Sequence, residues 1–174
     1  MLDKRVLTVI ESLGLPKPEW FNGFFGPDGA YDTRGDRIIL NQFTTLVKVL
    51  DINFIALHEA IHATGHFKRL NRGIIGIQSE QLSKIGKETV TVTPTDSFSL
   101  ESRQDEESVA QLGAYLLIKR LGIEGKPCPD WYLKIYLEQQ GRIDGVPRKY
   151  EELMAQEAVN YIINLMESSE RKVA

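Results

Sequence analysis

The first 42 residues show two patterns of apolar and polar positions, one typical of a helix and one typical of a β-hairpin. Residues 3–13 place four apolar side chains on one face of a helix, which Gly14 can end: Val6, Val9, Ile10 and Leu13. Residues 30–32 and 37–40 flank Thr33-Arg34-Gly35-Asp36, and this pattern predicts a β-hairpin with a glycine in its turn. Between them, residues 16–29 are rich in proline and glycine. There we expect an irregular segment that packs its aromatic residues into the core: Trp20, Phe21, Phe24 and Phe25.

Two helical patterns follow in the middle of the chain. Residues 43–66 are mostly helical by pattern, and a new helix can begin after Leu50 with Asp51 or Asn53 as its cap. We expect Gly65 to end it, as glycine does where a helix terminates in the left-handed conformation. From residue 102 onward the pattern predicts a helix that is apolar on most sides, and therefore buried. Ser102 and Asp105 have capping-box spacing at its start, and Gly122 stops it.

The remaining patterns are less regular. Residues 129–140 predict a helix, and Pro147 suits the first position of a last helix that runs to about residue 168. Residues 74–101 mix glycine, threonine, serine and proline with weak periodicity, and we interpret them as a flexible insertion and a candidate lid. The predicted architecture is therefore α+β: one domain over residues 1–174, with a small β-hairpin or sheet packed beside a helical body.

Composition narrows the class of protein. The 174 residues carry 21 Lys and Arg against 24 Asp and Glu, a formal net charge of −3, which argues against binding nucleic acid or a membrane surface through bulk charge. Cys128 is the only cysteine, so neither a disulfide framework nor a cysteine-based zinc site is expected. No apolar run approaches ~18 residues and the first residues lack the apolar core of a signal peptide, so we expect a cytoplasmic protein.

The candidate chemistry lies where the three histidines cluster. His58-Glu59-Ala60-Ile61-His62 has the His-Glu-x-x-His pattern within a predicted helix. Histidines four positions apart share a helix face, so both can reach one zinc ion. Glu59 projects beside the pair, where its carboxylate can take a proton from a water that the metal activates. The motif predicts zinc bound by His58 and His62, with Glu59 as the general base.

A third protein ligand has four candidates. His66 follows Gly65 too closely to fold back onto the same metal, and Asp105 suits the role of a complement to the helix dipole. Glu106 and Glu107 begin the buried helix, and Glu107 shares a face with Gln111 and Ala114, so that Gln111 could orient a histidine ring. The pattern favours Glu107 over Glu106 and His66.

Three stretches resemble a known family. His58 to His66 followed by Arg69-Leu70-Asn71-Arg72, the pair Ala30-Tyr31 and Asp36 to Leu40, and Glu106 to Ala114 resemble the metallopeptidase-like domain of ArdC-type antirestriction proteins of plasmids and phages. The likeness spans roughly residues 28–165. It implies a zincin fold with the His-Glu-x-x-His helix at its centre. It also implies zinc held by His58, His62 and Glu107, with Glu59 as the base.

The chain departs from that family at three points. Gln111 stands where the family has a glutamate, and the stretch around 74–101 is longer. The family's full-length members also carry an N-terminal single-stranded-DNA-binding domain for which 174 residues leave no room, so we do not expect the antirestriction role to carry over.

Two functions from different classes follow. The first is a zinc metallopeptidase that hydrolyses a polypeptide, with an oxyanion stabilised by one of several candidate donors: Tyr115, Tyr132, His66 or Arg69. The second is a non-catalytic zincin-like interaction module, of phage or plasmid anti-defence or associated with DNA, in which the metal is structural. Glu59 favours the enzyme, because a closed structural zinc site needs no base.

Overall fold

The computed structural model describes residues 1–23, 27–43, 51–72, 103–123, 134, 138 and 147–173. They form four helices and a three-stranded mixed sheet, so the predicted α+β class is confirmed. In chain order these are α1 (Lys4–Ser12), β1 (Glu19–Phe21), β2 (Gly29–Asp32), β3 (Arg37–Asn41), α2 (Ile52–Thr64), α3 (Arg103–Leu121) and α4 (Lys149–Val173). None of the described helices is both long enough and apolar enough to cross a membrane.

The sheet has the order β1-β3-β2 and contains the predicted hairpin. Strands β2 and β3 pair antiparallel, with Tyr31 opposite Ile38. Strand β1 pairs parallel to β3, with Trp20 beside Leu40. The expectation of an irregular segment over 16–29 is therefore wrong for 19–21.

The predicted burial of the aromatic residues in that segment is wrong for Trp20. Trp20 lies in β1, at the edge of the three described strands, and is 45% exposed. Phe21 is half-buried. Phe24 and Phe25 lie outside the described residues.

Helix α2 is the centre of the packing. It contacts β2 and β3 on one side and the helices α1, α3 and α4 on the others. Its apolar residues are buried all round, which explains why its sequence shows no polar face: Ile52, Phe54, Ile55, Ala56, Leu57, Ala60, Ile61 and Ala63. The helix that carries the His-Glu-x-x-His motif thus contacts most of the other described elements.

The starts of α1 and α2 are set by local hydrogen bonds. Asp3 caps α1 by accepting from the backbone N–H of Arg5, and Asp51 caps α2 by accepting from that of Asn53. Asn53 is therefore not the cap; its Oδ1 instead accepts from the backbone N–H of Asp3 at 2.8 Å and so ties the two helix starts together. The part of the predicted helix before residue 51 lies outside the described residues.

The glycines after three helices play different roles. Gly14 and Gly122 have φ of 73° and 61°, the left-handed conformation expected after a helix. Gly65 has φ −76°, so its expected left-handed conformation is wrong. There the chain continues in right-handed turns, with the N–H of His66 bonded to the carbonyl of Ala63 at 3.1 Å.

The remaining predictions concern the second half of the chain. The predicted insertion and lid at 74–101 and the cap at Ser102 lie outside the described residues. Of the helix predicted over 129–140, Lys134 and Glu138 are described and are helical. Helix α4 begins at Lys149 and ends at Val173, so Pro147 precedes the helix by two positions and is not its first residue.

The start of α4 is set by a glutamate. Arg148 directly precedes α4, and Glu151 is the third residue of the helix. The side chain of Glu151 accepts from the backbone N–H of Arg148 at 2.5 Å, as the glutamate of a capping box does.

Candidate metal centre

Two helices bring three ligand atoms together. Nε2 of His62 lies 3.1 Å from Nε2 of His58 on α2, and Oε2 of Glu107 on α3 lies 3.4 Å from the His58 nitrogen and 3.6 Å from the His62 nitrogen. Two atoms bound at ~2.1 Å to one tetrahedral zinc ion would lie about 3.4 Å apart. Within the described residues, His58, His62 and Glu107 form a group that could hold a metal ion.

The packing of α2 on α3 allows this approach. Gly113 of α3 faces Ile61, and a Cβ at position 113 would lie 2.8 Å from Cδ1 of Ile61. The absence of that side chain lets the two helix backbones come close. The start of α3, which carries the glutamates, is thereby held against the middle of α2.

The ligand side chains are mostly buried but not closed off. Both histidine side chains are 12% exposed and that of Glu107 is 28% exposed. The more open side of the group is therefore the glutamate side. A catalytic zinc site has three protein ligands and one position open to water, whereas a structural site is closed by four protein ligands; the group here has three members among the described residues.

Glu106, the neighbour of Glu107, turns to the other side of the His62 ring. Its Oε1 lies 3.3 Å from Nδ1 of His62, and it is 2% exposed. Arg72, from the segment after α2, pairs with the same carboxylate at 2.7 Å. The carboxylate at the His62 ring is thus that of Glu106, and Gln111, which the sequence suggested could orient a histidine ring, is buried in α3.

The carboxylates determine the charge on His62. Burial alone would lower the pKa of His62, but hydrogen bonds to Glu106 and Glu107 and the nearby charge of Glu59 outweigh it and raise the pKa to about 10. Burial would raise the pKa of Glu107, and the histidines hold it well below its usual range. Burial also opposes the ionised form of Glu106, yet the charge of Arg72 and the hydrogen bond from His62 keep its pKa low.

His58 is held less completely than His62. Its Nδ1 is buried and has no hydrogen-bond partner in the described part of the chain. Metal-bound histidines usually donate their second ring nitrogen to an oxygen. Of the two histidines, His62 is therefore the one whose ring orientation is fixed from outside the group.

Glu59 lies between the ligand group and the sheet. It is 7% exposed, and its carboxylate packs over Gly29, where a Cβ would lie 3.2 Å from Oε1 of Glu59. Its carboxylate forms no hydrogen bond or ion pair with the residues that the structure describes. A general base must lie close to the water that it deprotonates, and Glu59 follows the ligand His58 directly on α2.

Two other sequence candidates lie together but away from the ligands. His66 packs edge-on against Tyr31 at 6.2 Å between ring centres, and burial lowers its pKa. Arg69 pairs with Asp36 at 2.9 Å and also donates to the carbonyls of Leu13 and Ala63. The Arg69 guanidinium therefore links the hairpin turn to the C-terminal ends of α1 and α2. An oxyanion role for His66 or Arg69 has no support in this arrangement.

Of the two tyrosine candidates, Tyr115 lies within the described residues. Tyr115 lies eight residues beyond Glu107 on α3, about 12 Å along the helix axis. Its ring lies under the ammonium of Lys119, 4.1 Å from the ring centre, and its hydroxyl accepts from the same group. Tyr132 lies outside the described residues.

Asp105 had been assigned to the helix dipole. The structure places it in the first turn of α3, as expected, but buries it and pairs it with Arg148 at 3.4 Å. Burial of a carboxylate is tolerated because of such partners. Asp105 thus links the start of α3 to the start of α4.

The sequence did not predict the contact between two residues beside the ligand group. Arg72 was named from the sequence only as part of the family resemblance, and Glu106 only as a weaker ligand candidate. A signal for their pairing exists: two adjacent glutamates at the start of a buried helix need two sets of partners, since neither can be buried unpaired.

Comparison of the chain with protein-family models, curated proteins and solved structures finds no match.

Proposed function

We propose that this chain is a zinc-dependent peptidase with a zincin-like fold, similar to the metallopeptidase domain of ArdC-type proteins. The observation that carries the proposal is the triangle of His58, His62 and Glu107 ligand atoms, 3.1 to 3.6 Å apart, with both histidines on the helix that also carries the buried Glu59. Two imidazoles and one carboxylate with an open position are a ligand set typical of catalytic zinc. A cytoplasmic location and a polypeptide substrate belong to the same proposal.

The residues divide the work of peptide hydrolysis. Zinc bound at the triangle would polarise the scissile carbonyl and lower the pKa of a water. Glu59 accepts the proton of the attacking water and passes it to the leaving amine. Glu106 lies at Nδ1 of His62 and would hold the ring with its Nε2 towards the other two ligand atoms.

The position of Glu59 also suggests where the substrate lies. Strand β2 is at the edge of the three described strands, and its Gly29 contacts the Glu59 side chain. An extended peptide that paired with this edge would lie along the strand that contacts Glu59.

The test is Glu59→Gln assayed on an unstructured polypeptide such as casein. The amide cannot accept the proton, so we expect hydrolysis to fall by at least ~10²-fold while zinc content and fold are retained. Glu107→Ala should lose zinc and activity together. His66→Ala is the matched control, a buried histidine near the same helix end, and should keep both.

The outcomes separate the two function classes. A Glu59→Gln protein that hydrolyses casein as fast as the wild type would overturn the proposed mechanism. Zinc binding by the wild type without hydrolysis of any peptide would favour the non-catalytic interaction module.

A further inference from the structure

Arg72 contacts both of the helices that supply ligands. Its Nη2 donates to the carbonyl of Ile61 at 2.8 Å, and its Nη1 donates to the hydroxyl of Thr64, both in the last turn of α2. Towards α3, Nη2 and Nε donate to the two carboxylate oxygens of Glu106 at 2.7 and 3.2 Å. One planar group thus joins the end of α2 to the start of α3.

The backbone brings Arg72 into this place. Asn71 has φ 48°, the left-handed conformation that asparagine tolerates better than most residues. This turn lets the N–H of Arg72 bond to the carbonyl of Gly65 at 3.1 Å. The side chain is then directed back along α2, and the residue is 3% exposed.

The connection continues to the metal centre. The Oε1 atom of Glu106 that accepts from Arg72 also lies 3.3 Å from Nδ1 of His62. Histidine rings that bind metal are commonly oriented by an oxygen at the second nitrogen. Here that oxygen is itself held by a buried guanidinium.

We propose, on the basis of the metal centre in the proposed function, that Arg72 is a positioning residue for the metal. Through Glu106 it fixes the ring of His62, and through the carbonyl of Ile61 it fixes the distance between α2 and α3. Lysine cannot replace it, because an ammonium does not offer the planar fork that reaches Glu106 and two α2 oxygens together.

Arg69 provides the matched control. It lies in the same segment, its side chain is 6% exposed, and it also donates to an α2 carbonyl, that of Ala63 at 3.1 Å. Its carboxylate partner is Asp36 of the hairpin turn and not a residue of α3. Loss of Arg69 should therefore destabilise the fold without altering the metal centre.

The experiment measures Zn²⁺ affinity by competition with a chelator, and the visible absorption spectrum of the Co²⁺-loaded protein. Both are recorded for the full chain under conditions where circular dichroism shows it folded. Arg72→Lys and Arg72→Met should weaken Zn²⁺ binding by about 10- to 100-fold and change the Co²⁺ spectrum, as loss of a group behind a ligand does. Arg69→Met should change neither.

A double variant separates positioning from stability. Glu106→Gln leaves Arg72 as an unpaired buried charge, so the metal-free protein should unfold more easily. Adding Arg72→Met removes that charge and should restore much of the stability, while Zn²⁺ affinity stays at least about 10-fold below that of the wild type.

Three results would overturn the proposal. Wild-type Zn²⁺ affinity in the double variant would show that the pair only stabilises the fold. Equal losses in the Arg69 and Arg72 variants would show that the effect is not specific to the metal centre. A wild-type protein that binds neither Zn²⁺ nor Co²⁺ would refute the metal centre itself. The binding measurement detects this outcome without the peptidase assay.

Discussion

His62 has a carboxylate at each ring nitrogen: Glu106 at Nδ1 and Glu107 at Nε2. Their combined effect outweighs burial and raises the pKa of His62 to about 10. Because this pKa lies above the ordinary value of about 6.5, the protonated ring stabilises the metal-free fold at neutral pH. That contribution is lost as the pH rises through 10.

A metal needs the same Nε2 lone pair, so zinc binding at neutral pH must release that proton. We expect about one proton released per zinc ion at pH 7, and an affinity that rises about tenfold per pH unit below pH 10. Calorimetric titration in buffers of different ionisation enthalpy measures the proton count. His66→Ala should release the same number, and no proton release in the wild type would show that His62 is neutral.

Gly29 tests the placement of the base. A Cβ there would lie 2.7 Å from Cγ2 of Ile55 and 3.2 Å from Oε1 of Glu59, both on the buried side of β2. Gly29→Ala should displace the carboxylate and cut kcat/KM by up to ~10²-fold, because a shift of about 1 Å suffices for that. Zinc affinity should be unchanged.

Gly35→Ala is the matched control for this substitution. A Cβ at position 35 would also be crowded, at 2.8 Å from Nε of Arg37, but in the hairpin turn and against a flexible side chain. Its activity should stay near that of the wild type. Equal losses in the two variants would mean that Gly29 acts through the sheet and not through Glu59.

At the scale of elements, the approach of α2 to α3 depends on Gly113. An alanine there would place its Cβ 2.8, 2.9 and 3.1 Å from Cδ1, Cγ1 and Cγ2 of the buried Ile61. The gain in helix propensity is about 1 kcal/mol, against about 1–3 kcal/mol for overpacking. We expect Gly113→Ala to lower the free energy of unfolding by up to about 2 kcal/mol and to weaken zinc binding, because the ligand-bearing helices move apart.

Denaturant unfolding and chelator competition measure the two effects. Adding Ile61→Val removes the nearest contact, Cδ1, and should recover part of the zinc affinity. If Gly113→Ala binds zinc as the wild type does, the spacing of the helices does not limit the site.

The elements also show how much the sequence could predict. Helix α2 and its two histidines follow from periodicity and spacing alone, and α3 from its apolar pattern. Glu107 could be favoured from the face that it shares with Gln111. Strand β1 escaped because it has three residues, too few for an alternating pattern, and its partner is parallel and distant in sequence.

The pairing of Arg72 with Glu106 could not be predicted for a different reason. The two residues are 34 positions apart, and their contact depends on the left-handed turn at Asn71. Spacing rules describe neighbours within one helix and say nothing about where two helices meet. The division of roles between adjacent glutamates is therefore a property of the tertiary fold.

For the whole molecule, zinc should act as a stabilising ligand. We expect about one ion per chain, and at a free zinc concentration 100 times the Kd a gain of about 2.7 kcal/mol in unfolding free energy. For a chain of this size that corresponds to a rise in Tm of roughly 5–11 °C. Elemental analysis and thermal melting with and without chelator test this, and Glu107→Ala should lose the shift.

The three ligands are distributed unevenly along the chain, which affects the order in which folding and zinc binding occur. His58 and His62 meet within one helix, but Glu107 is 45 positions after His62. Bringing the ends of such a segment together costs about 3 kcal/mol of chain entropy. The full ligand set therefore exists only once α3 has docked on α2, so that zinc should enter a molecule that is already folded. Zinc should then slow unfolding and leave the refolding rate unchanged, as interactions absent from the transition state do.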